Sequence, residues 1–279
     1  MIIKKILKTI LQISLNSVMI AFSAISAFPL IWIIYSSLKT RQEFSLNILS
    51  IPKGFEFSNY IEAVRVSHME IFFKNSLIVS VFTILSVVVI GFVTGYFLSR
   101  YDFKFRKTLY AFFIAGMLIP VHGLLIPLFV QLQFLGMLDS RLALILTYTA
   151  YNLPLTIFLV EAFVRTIPVE MEEAAVIDGS PIYKTLMSII MPMTTPVLST
   201  SMILTFLNAW NEFPFAMIVM SNKNLYTIPI GMRNFSGEFS TNYTQLLAAS
   251  VLATLPVIVV YLLVSDKIIQ GMTAGAVKA

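Results

Sequence analysis

The residues that could do chemistry in this chain lie within long apolar segments rather than in a catalytic motif. Asn152 lies in one such segment, and a polar run at residues 208–212 lies in another. Amide and carboxylate groups are costly at membrane depth unless they face a cavity or a partner subunit. We therefore expect these side chains to line a path for a polar solute. The candidates for this path are Asn152, Asn208, Trp210, Asn211 and Glu212.

Enzymatic motifs are missing from the sequence. It has neither an H-E-x-x-H nor a G-x-S-x-G pattern, and it has no G-x-x-x-x-G-K phosphate-binding loop. The chain contains two histidines and no cysteine, which excludes thiolate chemistry and cysteine-ligated metal. We therefore predict no catalytic residue, no metal site and no cofactor in this chain. Any ATP and Mg would have to bind to another polypeptide.

The composition predicts a polytopic α-helical membrane protein. Hydrophobic residues make up 58% of the chain and charged residues only 12%. A helix needs about 20 apolar residues to cross a bilayer, and the sequence contains several runs of that length. We predict six spans, at approximately residues 13–37, 75–99, 109–135, 142–165, 197–220 and 243–265. The net charge of +5 does not indicate nucleic-acid binding, because the basic residues gather at span ends.

Basic residues at the span ends set the expected orientation. Arg100, Lys104, Arg106 and Lys107 follow the second predicted span. Cytoplasmic loops carry an excess of Lys and Arg, so we place this loop in the cytoplasm. The first span is also preceded by lysines, and its apolar run is too long for a cleaved signal peptide. We therefore expect both termini in the cytoplasm.

Two predicted spans contain features that disturb a regular helix. Pro120, Gly123 and Pro127 interrupt the third span, so this helix should break and face the bundle interior. His122 lies in the break, where a packed, hydrogen-bonded role is the more common one. Glu161 lies near the cytoplasmic end of the fourth span, where we expect it to be paired rather than catalytic.

A polar segment at residues 168–192, named the elbow here, separates the fourth and fifth predicted spans. Pro168 suits a first helical turn, and the glutamates that follow place negative charge at the positive end of a helix dipole. Gly179 supplies a left-handed residue that can end this helix. A second helix should follow, with Ile182, Leu186, Ile189 and Ile190 on an apolar stripe. The sequence therefore predicts two short helices joined at a glycine corner.

Two interpretations of the elbow stay open on local grounds. Most loops of this length only close a bundle. The alternative is a docking surface, because the small Ala174 and Ala175 allow close approach and an exposed apolar stripe would suit a groove.

The spacing of seven residues within the elbow resembles a known motif. The residues are Glu173, Ala174, Ala175, Asp178, Gly179, Ile189 and Pro192. Together they resemble the EAA motif of permease subunits in binding-protein-dependent ABC importers, although Met191 stands where leucine is usual. The resemblance implies a type I ABC importer transmembrane domain that occupies residues 1–279, with the elbow as its coupling helix. The expected ATPase-coupling residues are Glu173, Ala174, Ala175, Asp178, Gly179, Ile182, Leu186, Ile189 and Pro192.

Two further segments resemble the carbohydrate branch of this family. Residues 270–278 are similar to the ending of MalG-type subunits, and residues 208–213 are similar to a fifth-span pattern common in that branch. The resemblance implies a carbohydrate importer in the cytoplasmic membrane of a prokaryote. Its partners would be a second permease chain, two ATPase subunits and an external solute-binding protein.

The resemblance also implies contacts for two segments outside the elbow. The tail at residues 266–279 would run along the ATPase interface through Gly271, Thr273 and Gly275. The loop between the fifth and sixth spans would reach the binding protein, with Asn234, Phe235 and Tyr243 as candidates. On local grounds the tail could equally be a frayed terminus.

Two other functions remain as alternatives. The chain could be an ABC importer permease for a solute that is not a sugar. It could also be an ion-coupled secondary transporter that uses Glu161, Glu212 and His122 as ion or proton sites, although that function leaves the elbow unexplained.

Overall fold

All the regular secondary structure is helical in the part of the chain that this computed structural model describes. That part comprises residues 2–235 and 242–276, with side chains described over residues 9–65, 68–233, 235 and 242–263. The α-helices in chain order are α1 (Ile2–Ser36), α2 (Arg41–Leu46), α3 (Ser58–Ser67), α4 (Met69–Arg100), α5 (Arg106–Met117), α6 (Leu125–Phe134), α7 (Arg141–Val164), α8 (Glu170–Ile177), α9 (Ile182–Thr185), α10 (Met191–Met193), α11 (Thr195–Asn211), α12 (Pro214–Val219), α13 (Ile228–Gly231) and α14 (Tyr243–Ala276). The predicted all-α class agrees with this architecture.

Four helices in the described part are long and apolar enough to cross a membrane: α1, α4, α7 and α14. Two further spans result if each of two bent helix pairs is counted as one. The first pair joins α5 to Val121–Phe134 with a bend of 93°, and the second joins Ile182–Met193 to α11 with a bend of 76°. By length and composition the described part of the chain therefore contains between four and six candidate spans, a range that includes the predicted six.

The third predicted span breaks where its prolines and glycine are concentrated. Helix α5 ends at Met117, and a 3₁₀ turn, Val121–Leu124, precedes α6. Pro120 has an extended backbone immediately before that turn. A proline disfavours the helical conformation in the residue before it, and this explains why the helix stops short of residue 120.

The fifth predicted span differs from the structure at its far end. Helix α11 ends at Asn211 instead of continuing to residue 220. Glu212 adopts an extended backbone, and Pro214 begins the short helix α12. Pro214 lacks the N–H that a continuing helix would donate, so the chain breaks here and starts again.

The chain divides into two compact units. The first contains Met1–Met69 and Met232–Thr254, and the second contains Glu70–Gly231 and Leu255–Ala279. In the first unit Lys39 is fully buried, and its Nζ donates to the carbonyl oxygens of Asn47 at 3.3 Å and Ile48 at 2.8 Å. Burial lowers the pKa of the Lys39 ammonium, and the nearby Glu43 carboxylate partly offsets this effect.

Two apolar clusters form the core of the second unit. One includes Leu144, Tyr148 and Phe215, and the other includes Phe92 and Val164. The second cluster takes residues from α4, α7, the elbow and α11. The elbow therefore contributes to the same core as three spans.

Polar contacts fix the chain that follows α12. Asp139 has a left-handed backbone with φ of +53°, and its Oδ1 accepts from the N–H groups of Ser221 at 2.6 Å and Asn222 at 2.8 Å. Asn75 Nδ2 donates to the carbonyl oxygen of Tyr226 at 2.9 Å. The first part of the predicted binding-protein loop is thus held against its own unit.

The C-terminal segment is more helical than the sequence suggested. Helix α14 continues to Ala276, whereas the predicted span ended at residue 265. Gly271 and Gly275 each cost about 1 kcal/mol relative to alanine in a helix, and no proline follows Pro256 to stop it. The two glycines do not end the helix, and α14 therefore continues into the predicted tail as far as Ala276.

Candidate functional site

The corner of the elbow has the geometry that the sequence predicts. Gly179 has a φ of +74°, which favours glycine because it has no Cβ. The N–H of Gly179 donates to the carbonyl oxygen of Val176 at 3.0 Å, and that of Ser180 donates to Ala175 at 2.9 Å. These bonds satisfy carbonyl groups at the end of α8. Helix α9 begins at Ile182, so two short helices meet at this corner.

The first limb of the elbow comprises residues 168–179, and most of the predicted coupling residues on it are exposed. Glu173, Ala174, Asp178 and Gly179 lie at the surface, whereas Ala175 is buried. Apolar residues that the motif does not include extend this surface, since Val176 is 67% exposed and Ile177 is 85% exposed. The first limb therefore presents an apolar patch beside its acidic residues.

The second limb of the elbow comprises residues 180–192, and the apolar residues predicted to form one stripe on it differ in exposure. Leu186 and Ile190 are buried in the core cluster, and Ile189 is half-buried against it. Ile182 and Pro192 are exposed. Leu186 therefore joins the elbow to the spans instead of facing a partner.

A single π-helical turn, Leu186–Ile190, follows α9. The N–H of Met191 donates to the carbonyl oxygen of Leu186, which is the spacing of a π-helix. Because a π turn inserts one extra residue, it changes which side chains of the second limb face the core. The expected regular helix is wrong at this point, since hydrophobic spacing alone does not reveal a π turn.

Glu172 holds the elbow to α4, a role that the sequence did not indicate. Its carboxylate accepts from Arg100 Nε at 2.6 Å and from the Tyr96 hydroxyl at 2.7 Å. Arg100 Nη2 also donates to the carbonyl oxygen of Ile167 at 2.8 Å. The Arg100 and Glu172 side chains are only 12% and 14% exposed, so solvent screens the pair weakly. The acidic side chain is therefore more than a partner for the dipole of α8.

Replacing Gly179 by valine tests the corner directly. The left-handed backbone should cost about 1–3 kcal/mol with a β-branched residue, although no heavy atom lies within 4 Å of the added Cβ. We expect normal membrane insertion but loss of ATPase co-purification. Gly136→Val is the matched control, because Gly136 has a φ of +65° and equally open space but lies outside the elbow. Normal uptake by Gly179→Val would contradict a required corner conformation.

A second candidate site is a cavity of about 610 Å³ near the end of α11. Polar groups on its wall come from Asn208, Asn211 and Glu212, which are three of the predicted path residues. His122 and Tyr151 also line the cavity. Small-molecule sites of this size typically combine apolar walls with a few placed polar groups.

Behind the cavity a chain of hydrogen bonds joins α7 to the break after α11. Asn208 Nδ2 donates to Asn152 Oδ1 at 2.9 Å, and Asn152 Nδ2 donates to the carbonyl oxygen of Tyr148 at 2.8 Å. The Tyr148 hydroxyl donates to Glu212 Oε2 at 2.6 Å. Glu212 also accepts from the backbone N–H of Phe215 at 2.7 Å. Asn152 therefore supports the cavity wall without lining it.

Trp210 is separated from the other predicted path residues. It is 2% exposed, and its ring packs edge-on against Phe73 at 5.3 Å. It does not line the cavity, because residues 208, 211 and 212 are directed to a different side of the chain from residue 210. His122 and Tyr151 were not in the predicted set, although the break at Pro120 indicated that this region faces the interior.

The remaining predicted contacts fall on the two ends of α14 and on the segment before it. Phe235 is buried and has little surface to offer a partner, whereas Tyr243 is 54% exposed and stacks on Phe44. Asn234 lies in a 3₁₀ turn, and its side chain is outside the described ones. Gly271, Thr273 and Gly275 lie on the last turns of α14, where side chains are also not described. Their contacts stay predictions.

Comparison with known proteins identifies the class to which this arrangement belongs. Residues 87–272 match the family described as "Binding-protein-dependent transport system inner membrane component". The chain is 32% identical over 278 residues to the trehalose/maltose transport system permease protein MalG of Thermococcus litoralis, covering 99% of each chain. It is 33% identical over 252 residues to the sulfoquinovosyl glycerol transport system permease protein SmoH of Agrobacterium fabrum, covering 90% of this chain and 88% of that one.

A solved structure shows the same fold. It is the crystal structure of a bacterial ABC transporter involved in the import of the acidic polysaccharide alginate. The match has a TM-score of 0.80 at 22% identity, and it covers 90% of this chain and 94% of that chain.

The fold and the family match together define a multi-pass permease subunit of an ABC importer. The chain belongs to the binding-protein-dependent family of inner-membrane transport components. The predicted resemblance and fold class are therefore confirmed. Permease subunits of this family are not catalytic themselves and carry no cofactor.

Proposed function

We propose that this chain is one of two permease chains in an importer that moves a carbohydrate into the cytoplasm. An ATPase pair binds the elbow, and an external binding protein delivers the sugar. The observation that carries this proposal is the elbow itself: an exposed corner at Ile177 and Gly179, joined to the spans by Glu172 and Leu186. A loop that only closed a bundle would not need both an exposed corner and these contacts of Glu172 and Leu186 with the spans.

Support for a carbohydrate comes from the relatives and from the cavity. The two relatives are named for transport of trehalose/maltose and of sulfoquinovosyl glycerol. Sugars carry many hydroxyl groups, which need replacement hydrogen bonds when they leave water. The amides of Asn208 and Asn211 offer both donors and acceptors, and Tyr151 adds an aromatic surface. The volume of about 610 Å³ leaves room for a small saccharide.

The proposed mechanism transmits ATPase closure through two contacts. The cytoplasmic ATPase pair closes when ATP binds and displaces the exposed corner of the elbow. The Arg100–Glu172 pair carries this displacement to α4, while Leu186 and Ile190 carry it to the core shared with α7 and α11. ATP drives the change because it binds the two conformations with different affinity.

The carboxylates of the spans are poorly suited to ion coupling. Glu161 accepts from Arg165 Nε at 2.6 Å, so its charge is paired. Glu212 accepts from Tyr148 and from two backbone N–H groups, those of Phe215 and Ala216. Both carboxylates are thus held by partners within the chain, which argues against their coordinating an ion during transport.

Co-purification and vesicle uptake test the proposed function. The tagged chain should bring down an ATPase and a second permease from membranes. Labelled sugar should enter vesicles only with ATP and the loaded binding protein. Uptake that persists without ATP in the presence of an ion gradient would contradict the proposal, and it would favour the secondary transporter.

Replacing Asn211 by alanine tests the cavity. Asn211 is exposed and lines the cavity, and its Nδ2 donates within its own helix, to the carbonyl oxygen of Leu207 at 2.9 Å. Losing one hydrogen bond to a sugar hydroxyl should reduce uptake by about fivefold. ATPase co-purification should stay normal. Gln133→Ala removes an exposed amide on α6, outside the cavity, and should leave uptake unchanged.

A further inference from the structure

A second cavity lies at the C-terminal end of α7, whereas the solute cavity reaches Tyr151 near the middle of that helix. Its volume is about 410 Å³, and it is bounded by the ends of α4 and α7 and the start of α5. Four basic and two acidic side chains line it, with Leu98, Phe103 and Tyr110 supplying the apolar walls. The charged residues are Lys104, Arg106, Lys107, Arg165, Asp102 and Glu161.

The charges in this cavity do not cancel. Arg106 pairs with Asp102, and Arg165 pairs with Glu161, so each carboxylate is matched by one arginine. Among the salt bridges of the described residues, neither Lys104 nor Lys107 has a carboxylate partner. Lys104 Nζ instead lies 5.7 Å from the centroid of the Phe105 ring. Two ammonium groups therefore stay available for an anion.

The surroundings of the cavity indicate where this anion comes from. Phe103 and Phe105 are 44% and 65% exposed beside the lysines, and aromatic side chains of this kind are enriched at membrane–water interfaces. Along α5, Leu109 and Phe112 expose a further apolar surface, which acyl chains can cover. A soluble anion would use the lysines but not this adjoining apolar strip.

We propose that the cavity binds the phosphate head group of an anionic glycerophospholipid, with Lys104 and Lys107 contacting the phosphate. The acyl chains lie along α5. This site includes Arg165, three residues before the elbow begins at Pro168, so the bound lipid stabilises the segment that leads into the elbow. The inference needs only membrane insertion, which the family provides, and it does not depend on the transported solute.

Native mass spectrometry of the full chain, released from nanodiscs of equimolar phosphatidylglycerol and phosphatidylcholine, tests this site. The wild-type chain should retain phosphatidylglycerol preferentially. Each lysine contributes to the binding free energy of the anionic lipid. Lys104→Gln/Lys107→Gln should therefore retain about tenfold less phosphatidylglycerol. Lys104→Arg/Lys107→Arg should restore retention. Lys53→Gln/Lys223→Gln removes the same charge from exposed positions elsewhere and should behave as the wild type.

Three results would overturn the inference. Equal retention of both lipids, or unchanged retention in the double glutamine variant, would remove the lipid site. Displacement of phosphatidylglycerol by inorganic phosphate at similar concentration would assign the cavity to a free anion. Loss of a co-purifying protein from the double glutamine variant, with lipid retention unchanged, would assign it to a protein contact.

Discussion

Replacing Glu172 by leucine should reduce transport at least tenfold while leaving the ATPase bound. The substitution removes the carboxylate that accepts from Arg100 and Tyr96. Arg100, whose side chain is 12% exposed in the wild-type chain, then keeps the carbonyl oxygen of Ile167 as its acceptor among the described residues. Breaking a fully buried pair from one side typically costs about 3 kcal/mol, and this part-buried pair should cost somewhat less. The exposed corner around Gly179 is not altered, so ATPase co-purification should continue. Sugar uptake and the thermal midpoint of the purified protein measure the two effects.

A double-mutant cycle separates the joint from general destabilisation. Arg100→Met/Glu172→Leu replaces both charges by apolar groups and should lose less stability than Glu172→Leu alone. Glu170→Leu is the matched single control, because Glu170 lies in the same first turn of α8 but is exposed. Wild-type uptake by Glu172→Leu would show that the elbow does not act through α4.

Replacing Gly95 by alanine should destabilise the packing of α4 against α7 by about 1–3 kcal/mol. The added Cβ would lie 2.8 Å from Val160 Cβ and 3.1 Å from the backbone nitrogen of Glu161. The first contact is too short for carbon atoms, so the two helices would have to separate. Small residues allow such close approach between membrane helices. A lower thermal midpoint in detergent and a loss of monodisperse protein would report this change.

Gly116 provides the control for the substitution at Gly95. A Cβ at Gly116 would lie 3.4 Å from Pro154 Cγ, which is an ordinary contact distance. Gly116→Ala should therefore remain close to wild type. Equal thermal midpoints for the Gly95 and Gly116 variants would contradict close helix packing at Gly95.

The sequence predicted those features of the site that depend on local chemistry. Gly179 forms the corner because a left-handed residue is needed between two helices, and glycine marks that need in the sequence. The break near Pro120 is local in the same sense, since proline restricts the residue before it. The membrane class followed from apolar runs in the same way.

The features that the sequence did not predict depend on contacts between distant residues. Glu172 is indistinguishable in sequence from its acidic neighbours. It connects the elbow to α4 because Arg100, 72 positions away in the sequence, lies beside it in the fold. Trp210 looked like a path residue because it lies within a polar run, yet packing against Phe73 removes it from the cavity. Leu186 belonged to a predicted apolar stripe, and the π turn that begins at Leu186 determines which residues of that stripe face the core.

The most direct test of the central claim places one cysteine at Ile177, at the exposed corner of the elbow. The chain contains no cysteine, and Ile177 is 85% exposed, so Ile177→Cys gives a single accessible thiol. We predict labelling by a membrane-impermeant maleimide from the cytoplasmic side only, and a cross-link to the ATPase that changes in yield when ATP is added. Labelling from the outer side, or full ATP-driven uptake with no cross-link to an ATPase, would contradict the account.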